Sequence, residues 1–324
     1  MADESKAVDG LSFVTIPGNN AALMFELMYN EARRTSCASC GVAEVDDIKL
    51  KECADCDLVK YCGDECRENH RPEHEEECKE RAAELLRDEL LFKQPEGTYL
   101  GDCPICCVPL PIDLKKSNMM MCCSKTVCKG CFYANAFREE QQLCPFCRSV
   151  LPKTDEEVDL LLMKRIAAND PNAMNWKGNV ENDNGNYSTA FELFTKAAAF
   201  GDVDSHFRLS NMYFNGTGVE KDEGKEIHHM EEAAIGGHPL ARYSLGLKEW
   251  YMRRNFERAV KHFVISATQG DDRSIKALMK MFKEGSVEKE VLAAALRAQK
   301  AAVDATKSPQ RVEADEYIQK NGQH

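Results

Sequence analysis

The second half of the chain shows the apolar spacing of consecutive amphipathic helices. Residues 154–157, Thr-Asp-Glu-Glu, have the form of a capping box and precede apolar residues at helical spacing. Further on, an Ala-x-x-Gly motif recurs with periods of 36 and 33 residues, at Ala198…Gly201, Ala234…Gly237 and Ala267…Gly270. The pattern predicts helical hairpins, because small residues let two helices approach closely and a glycine can end the second helix.

Helical periodicity is weaker before residue 150. It predicts one helix over Asn20–Arg34 and a second from Lys79 to about Gln94, ended by a Pro-Glu-Gly break. Between them, Glu65–Cys78 is rich in Glu, Arg and Lys and has no apolar stripe. Something other than a hydrophobic core must hold that stretch together.

The composition suggests that cysteines hold this region together, because all 16 cysteines of the 324 residues lie between Cys37 and Cys147. The N-terminal sequence lacks the basic start and apolar core of a signal peptide, and no stretch approaches the ~18 apolar residues of a membrane span. We therefore expect an intracellular protein of the cytoplasm or nucleus, where clustered thiols are more often metal ligands than disulfides. The formal net charge of −12 disfavours nucleic acid as a partner.

The first cluster contains eight potential ligands, in the order Cys37-x2-Cys40-x12-Cys53-x2-Cys56-x5-Cys62-x3-Cys66-x7-His74-x3-Cys78. Zinc takes thiolates and imidazoles in tetrahedral sets of four, so eight ligands make two sites. The last four ligands form two pairs, each four residues apart, which on a helix places both side chains of a pair on one face. The spacing selects His74 as the imidazole ligand and leaves the nearby His70 in solvent.

This order and spacing resemble the MYND zinc finger over residues 37–78. The resemblance implies interleaved pairing, with Cys37, Cys40, Cys62 and Cys66 on one zinc ion and Cys53, Cys56, His74 and Cys78 on the other. It also implies a shallow surface that binds short proline-containing peptides. Arg67 and Arg71 stand where the family usually has a Gln and a Trp. A finger that only folds and docks on its neighbours is the alternative.

A second cluster occupies residues 101–150. It contains three Cys-x-x-Cys pairs and one adjacent pair: Cys103/Cys106, Cys122-Cys123, Cys128/Cys131 and Cys144/Cys147. The set resembles a RING finger. In that family the first and third ligand pairs share one zinc ion, which implies a site of Cys103, Cys106, Cys128 and Cys131.

The second and fourth pairs of a RING finger share the other ion, and here the sequence departs from the family. Lys125 occupies the place of the usual histidine, and a protonated ammonium cannot donate to zinc. Cys122 offers a replacement and gives a four-thiolate site of Cys122, Cys123, Cys144 and Cys147; a water-completed or missing ion is the alternative. With the MYND-like sites the prediction is four zinc ions, and Cys107 is left as a plain buried thiol.

The RING resemblance implies ubiquitin-ligase activity. Such a domain supplies no nucleophile; it binds a ubiquitin-conjugating enzyme and holds the thioester-linked ubiquitin in a reactive pose. Ile105 and Pro145 match the family's contacts to that enzyme. Arg148 matches the position whose guanidinium can hydrogen-bond both ubiquitin and its carrier. Asn135 stands where many active members have a Trp, so a RING-shaped scaffold without activity is the alternative.

The helical hairpins resemble the Sel-one-like branch of tetratricopeptide-type repeats, over about residues 171–306. Such an array stacks its units and leaves a long concave surface, and the resemblance implies protein or peptide binding there. The predicted fold is two small zinc-stabilised modules of irregular α+β structure followed by an all-α helical-hairpin solenoid. The predicted segments are an N-terminal segment 1–36, a MYND finger 37–78, a helical linker 79–100, a variant RING finger 101–150, repeats 155–306 and a polar tail 307–324.

Two functions of different classes remain open on the sequence alone. The first is a RING-type ubiquitin ligase whose MYND finger and repeats recruit protein substrates. The second is a non-catalytic adaptor with purely structural zinc. Lysine methylation, which accompanies some MYND fingers, is not supported, because the remainder of the chain is helical repeat without a cofactor motif.

Overall fold

The structure of the protein is a computed structural model, which describes residues 35–45, 48–138 and 143–321. The helix predicted over residues 20–34 lies outside these ranges. The chain divides into two compact units, the first ending at Glu89 and the second beginning at Leu90. No helix within the described ranges is long and apolar enough to cross a membrane.

The first unit is built around its cysteines. Strand β1 (Lys51–Glu52) pairs antiparallel with β2 (Lys60–Tyr61), and helix α1 (Asp64–Phe92) follows. One continuous helix therefore replaces the separate linker helix expected from Lys79 onward. The buried core of the unit consists of Cys37, Leu50, Cys53, Cys56, Val59 and Tyr61. Six buried side chains, three of them cysteines, are a minimal hydrophobic core for the described part of this unit, so it needs further cross-links.

A small α+β module, residues 101–150, lies near the start of the second unit. We call it the RING-like module only after the resemblance of its cysteine spacing. A short 3-10 turn (Leu114–Lys116) leads into β3 (Ser117–Met120), which pairs antiparallel with β4 (Lys125–Cys128). Helix α2 (Lys129–Arg138) follows β4 directly. The apolar core again includes cysteines, with Leu110, Met120 and Val127 beside them.

Nine helices precede the last one in the rest of the second unit, and most of them pair as antiparallel hairpins. Helix α3 (Asp155–Ala167) begins at the predicted capping box, where Thr154 accepts a hydrogen bond from the Glu157 N–H. Four hairpins follow: α4 (Pro171–Asp183) with α5 (Tyr187–Ala199), α6 (Val203–Asn215) with α7 (Glu223–Ile235), α8 (Pro239–Tyr251) with α9 (Phe256–Thr268), and α10 (Asp272–Lys283) with α11 (Lys289–Ala305).

The Ala-x-x-Gly glycines end the second helix of the first three hairpins. Gly201, Gly237 and Gly270 have φ values of +83°, +88° and +97°, a left-handed conformation that side chains disfavour. The next residue in each case caps the following helix, and Asp202 and Asp271 do so through their carboxylates. The repeat period in the sequence is therefore the period of this turn.

Two segments at the ends of the second unit pack against its interior. Leu91 is 1% exposed and lies in a core with Met230, Ala233, Ala234, Ala241 and Leu245. The buried Arg242 guanidinium donates hydrogen bonds to the main-chain carbonyls of Leu91 and Lys93. These carbonyls lie at the end of α1, where the helix itself supplies no N–H donors. At the other end, the predicted polar tail forms helix α12 (Pro309–Asn321), which packs against α2 of the RING-like module.

Candidate metal centres

Four Cys-x-x-Cys turns share one backbone geometry. The residue after the second cysteine is left-handed in each, with φ of +74° at Gly41, +53° at Asp57, +53° at Cys107 and +59° at Arg148. Its N–H donates to the carbonyl oxygen of the first cysteine over N···O distances of 2.8 to 3.3 Å. Such a tight turn brings two sulfurs within reach of one metal ion.

Site A consists of Cys37, Cys40, Cys62 and Cys66, whose sulfur atoms lie within 4.8 Å of one another. The Cys62 sulfur lies 3.6 Å from that of Cys40 and 3.6 Å from that of Cys66, which is in the first turn of α1. Burial raises the pKa of Cys37, but main-chain N–H groups of Cys40, Cys62 and Ser39 lower it further, to about 6. A thiolate, the form that binds metal, is thereby favoured at neutral pH.

Site B consists of Cys53, Cys56, His74 and Cys78. The Cys56 sulfur lies 3.1 Å from Nε2 of His74, and the Cys53 sulfur lies 3.7 Å from that of Cys78. His74 faces the cluster with Nε2, while its Nδ1 lies 3.8 Å from the Glu77 carboxylate. That arrangement leaves Nε2 as the nitrogen available to a metal ion.

Site C, in the RING-like module, consists of Cys103, Cys106, Cys128 and Cys131. The Cys106 and Cys128 sulfurs are 3.9 Å apart. Two main-chain N–H groups donate to sulfur at 3.4 Å, that of Cys128 to Cys103 and that of Cys131 to Cys128. Burial raises the pKa of Cys103, but hydrogen bonds from the backbone of Cys128, Cys106 and Ile105 lower it overall, to about 7.

Site D consists of Cys122, Cys123, Cys144 and Cys147. The Cys123 sulfur lies 3.7 Å from that of Cys144, and the Cys147 sulfur lies 3.3 Å from that of Cys122. Two adjacent residues can face one centre because the chain turns sharply after them: Ser124 has φ of +55° and donates its N–H to the Met120 carbonyl at 2.7 Å. Lys125, which follows, is exposed at the start of β4.

The donor sets fit zinc. A tetrahedral ion with Zn–S bonds of about 2.3 Å holds its sulfurs about 3.8 Å apart. The sulfur–sulfur distances given above for the four sites run from 3.3 to 3.9 Å. A disulfide requires about 2.05 Å, and all sixteen cysteines, which lie within the described ranges, are free. Thiolate and imidazole donors in fours favour zinc over Ca²⁺ or Mg²⁺, which prefer oxygen.

Two sequence expectations about neighbouring residues are wrong. Cys107 is exposed, not buried: it occupies the left-handed position of its Cys-x-x-Cys turn, with φ of +53°, and belongs to none of the four ligand sets. His70 is also not a solvated side chain: it is 13% exposed, and its Nδ1 lies 3.1 Å from the Tyr61 hydroxyl. Tyr61 is itself 3% exposed, so this contact ties β2 to α1.

The residues expected to contact a conjugating enzyme lie on the surface of the RING-like module. Ile105 is 42% exposed within the turn of site C. Pro145 is half-buried and Arg148 is exposed, both in the last Cys-x-x-Cys turn. Asn135 on α2 is half-buried and donates from Nδ2 to the Leu143 carbonyl at 2.9 Å. The Asn135 side chain thus links α2 to the last Cys-x-x-Cys turn.

Comparison with known protein families gives a different match for each of the two units. The MYND finger model matches residues 37–78, and the Sel1 repeat model matches residues 173–202, 203–238 and 239–271. The chain is 37% identical to the chitin synthase regulator SKT5 of Saccharomyces cerevisiae over 76 residues, 24% of this chain and 10% of that protein. It therefore spans about a tenth of the length of that relative.

Two solved structures to which the chain is similar are repeat proteins. A Sel1 repeat protein from Oxalobacter formigenes is 24% identical, with a TM-score of 0.42 over 48% of this chain and 66% of that one. A protective antigen of uropathogenic Escherichia coli with an SLR fold is also 24% identical, with a TM-score of 0.38 over 52% of this chain and 37% of that one. The two family matches show that the chain carries a zinc-binding MYND finger at residues 37–78 and a helical solenoid of Sel1 repeats whose matched units span residues 173–271.

Proposed function

We propose that this protein is a zinc-binding adaptor for ubiquitin transfer. In this proposal the RING-like module engages a ubiquitin-conjugating enzyme, and the MYND finger and the Sel1 repeats hold partner proteins. The observation that carries the proposal is the order in which ligand pairs meet: the first and third pairs form site C, and the second and fourth form site D. That crossed order is the one that the RING resemblance implies.

We assign sites A to D to four structural zinc ions. Each ion would cross-link segments that have little hydrophobic core of their own, and a structural zinc of this kind contributes on the order of 10–16 kcal/mol to folding at neutral pH. The chain's part is to present four preformed donors, with thiols such as Cys37 held at a lowered pKa by main-chain N–H groups. Zinc supplies rigidity here and no chemical step.

The proposed contact surface consists of Ile105, Pro145 and Arg148. An exposed isoleucine held in a metal-braced turn is a suitable apolar contact for another protein, since its position is fixed before binding. Helix α12 packs on the side of α2 that carries Gly130 and Tyr133. Residue 105 keeps its exposure of 42% with α12 in place.

A non-catalytic scaffold is the second candidate, and Asn135 favours it. Asn135 stands at the position where many active RING fingers have a Trp, and its side-chain amide donates an internal hydrogen bond to the Leu143 carbonyl. It therefore offers a partner no large apolar surface, and one of its two amide N–H donors is already used. Under this alternative the RING-like module only braces the second unit and the protein assembles partners without transferring ubiquitin.

Partner proteins have a place to bind inside the second unit. A cleft of about 850 Å³ lies between the RING-like module and the first repeat. Trp176 and the exposed Phe200 line it, and four aspartates line it against one lysine and one arginine. We infer that it takes an extended segment with an apolar and a basic side chain. The interior of the middle repeats is less available, because Leu91 already fills it.

An autoubiquitination assay with a panel of conjugating enzymes tests the proposal. We expect the zinc-loaded full chain to build ubiquitin conjugates with at least one enzyme, and Ile105→Ala to reduce the rate at least tenfold. Leu160→Ala is the control, because Leu160 is an exposed residue (57%) of helix α3 that lies outside both the proposed contact surface and the lining of the cleft. Equal inactivity of wild type and both variants would exclude the ligase and leave the scaffold.

A further inference from the structure

We propose that Arg311 stabilises the thiolates of site C from outside the ligand set, and that helix α12 is thereby a structural part of the RING-like module. Arg311 lies in the first turn of α12, about 200 residues after the cysteines it contacts, yet it is only 8% exposed. This inference rests on the assignment of zinc to site C.

The Arg311 guanidinium joins three parts of the second unit. Nη2 donates to the Val108 carbonyl at 2.9 Å and lies 3.6 Å from the Cys106 sulfur. Nη1 donates to the carbonyls of Pro109 at 2.7 Å and Thr306 at 2.6 Å. Val108 and Pro109 continue the turn that carries Cys103 and Cys106. One side chain therefore fixes this turn to the end of the solenoid.

The charge of site C explains why a cation belongs there. Four thiolates around one Zn²⁺ leave a net charge of −2, and a buried charge needs a partner. An arginine remains protonated at all relevant pH values and can donate several hydrogen bonds in one plane. A donor to the Cys106 sulfur shares part of that negative charge and fixes the orientation of the ligand, so we expect the metal ion to be held more firmly.

Helix α12 is seated by shape as well as by charge. A Cβ atom built on Gly130 of α2 would lie 2.8 Å from the Arg311 main-chain nitrogen, so the two helices meet at a point where only glycine fits. Further along, the rings of Tyr133 and Tyr317 lie 5.6 Å apart. The Lys116 ammonium lies 3.8 Å from the Asp315 carboxylate. Together these contacts hold α12, and with it Arg311, against the RING-like module.

The test is the rate of zinc release from the full-length protein in the presence of a chromogenic chelator. We expect Arg311→Gln to release one of its zinc ions about 10–100-fold faster than wild type, the usual effect of removing a hydrogen-bonding partner of a metal ligand. Arg311→Lys should lie between them, because it keeps the charge without the planar fork. Mapping of alkylated thiols should show the exposed Cys107 modified in every variant. Among the ligands, the site C cysteines should react first in Arg311→Gln.

Arg297→Gln is the control, since it makes the same charge change at an exposed position of α11. Equal release rates for Arg311→Gln and Arg297→Gln overturn the proposal. If Arg311→Gln fails to fold, Tyr317→Ala loosens α12 without touching the ligand turn: faster loss from site C then supports the proposal, and an unchanged rate overturns it. If wild-type protein contains no zinc, both the assignment of zinc to site C and this proposal are wrong. If Arg311→Gln binds four ions and releases all of them at equal rates, only this proposal is wrong.

Discussion

At the residue scale, spacing predicts which side chains gather, and local backbone geometry decides the exceptions. The Cys-x-x-Cys pairs and the i, i+4 pairs are short-range patterns that the sequence shows directly. The combination of these pairs into the four sets that the structure brings together is what the MYND and RING resemblances imply. Their metal ligation stays a prediction. The exposure of Cys107 was not predicted from the sequence, because it depends on the left-handed φ that Cys107 adopts in its turn. The sequence did contain one indication of this conformation, because Gly41 occupies the equivalent position after the first Cys-x-x-Cys pair.

Cys122 is the ligand on which the variant site depends, and Cys107 offers its matched control. We expect Cys122→Ser to reduce the zinc content by one ion and to lower the stability of the RING-like module by several kcal/mol, a fraction of the contribution of a structural zinc. Cys107→Ser should change neither zinc content nor stability beyond about 0.5 kcal/mol, since Cys107 is exposed. Metal analysis and thermal unfolding measure both effects. Four ions in Cys122→Ser would show that another group completes site D.

At the element scale, the repeat glycines and capping box were predictable because they act within one turn of the chain. The continuous α1 was not, because its middle is charged and lacks an apolar stripe; Cys66, His74 and Cys78 occur along it in place of a packed face. The contact between hairpin helices is likewise set in three dimensions. A Cβ on Gly246 of α8 would lie 2.6 Å from the Phe263 ring of α9, and Gly178 meets Phe194 in the same way.

Gly246→Ala tests this close approach. Alanine improves helix propensity by up to about 1 kcal/mol, but the collision with a ring that is 0% exposed forces α8 and α9 apart. We expect a net loss of about 1–3 kcal/mol in the free energy of unfolding of the solenoid, followed by far-UV circular dichroism in urea. Gly224→Ala in α7, whose Cβ would meet only Asp222 Oδ1 at 3.4 Å, should be neutral or slightly stabilising. Equal effects of the two changes would contradict the packing.

At the scale of the whole molecule, the order of modules was readable and their long-range contacts were not. Repeats and cysteine clusters are visible in the sequence because each is periodic or closely spaced. Arg242 donates to the carbonyl of Leu91, 151 residues away, and Arg311 reaches Cys106 over 205 residues. Neither arginine belongs to a motif, so no local signal predicts them. The second unit is consequently more integrated than the predicted row of separate domains and polar tail.

The central claim is that four zinc ions organise the cysteine-rich half of this chain, and zinc stoichiometry tests it most directly. Native mass spectrometry of the full-length protein, purified without added chelator, should give a mass increase that corresponds to four zinc ions per chain. Denaturation in acid should remove all four. Two ions per chain would contradict this claim, because two of the four ligand sets would then fold without metal.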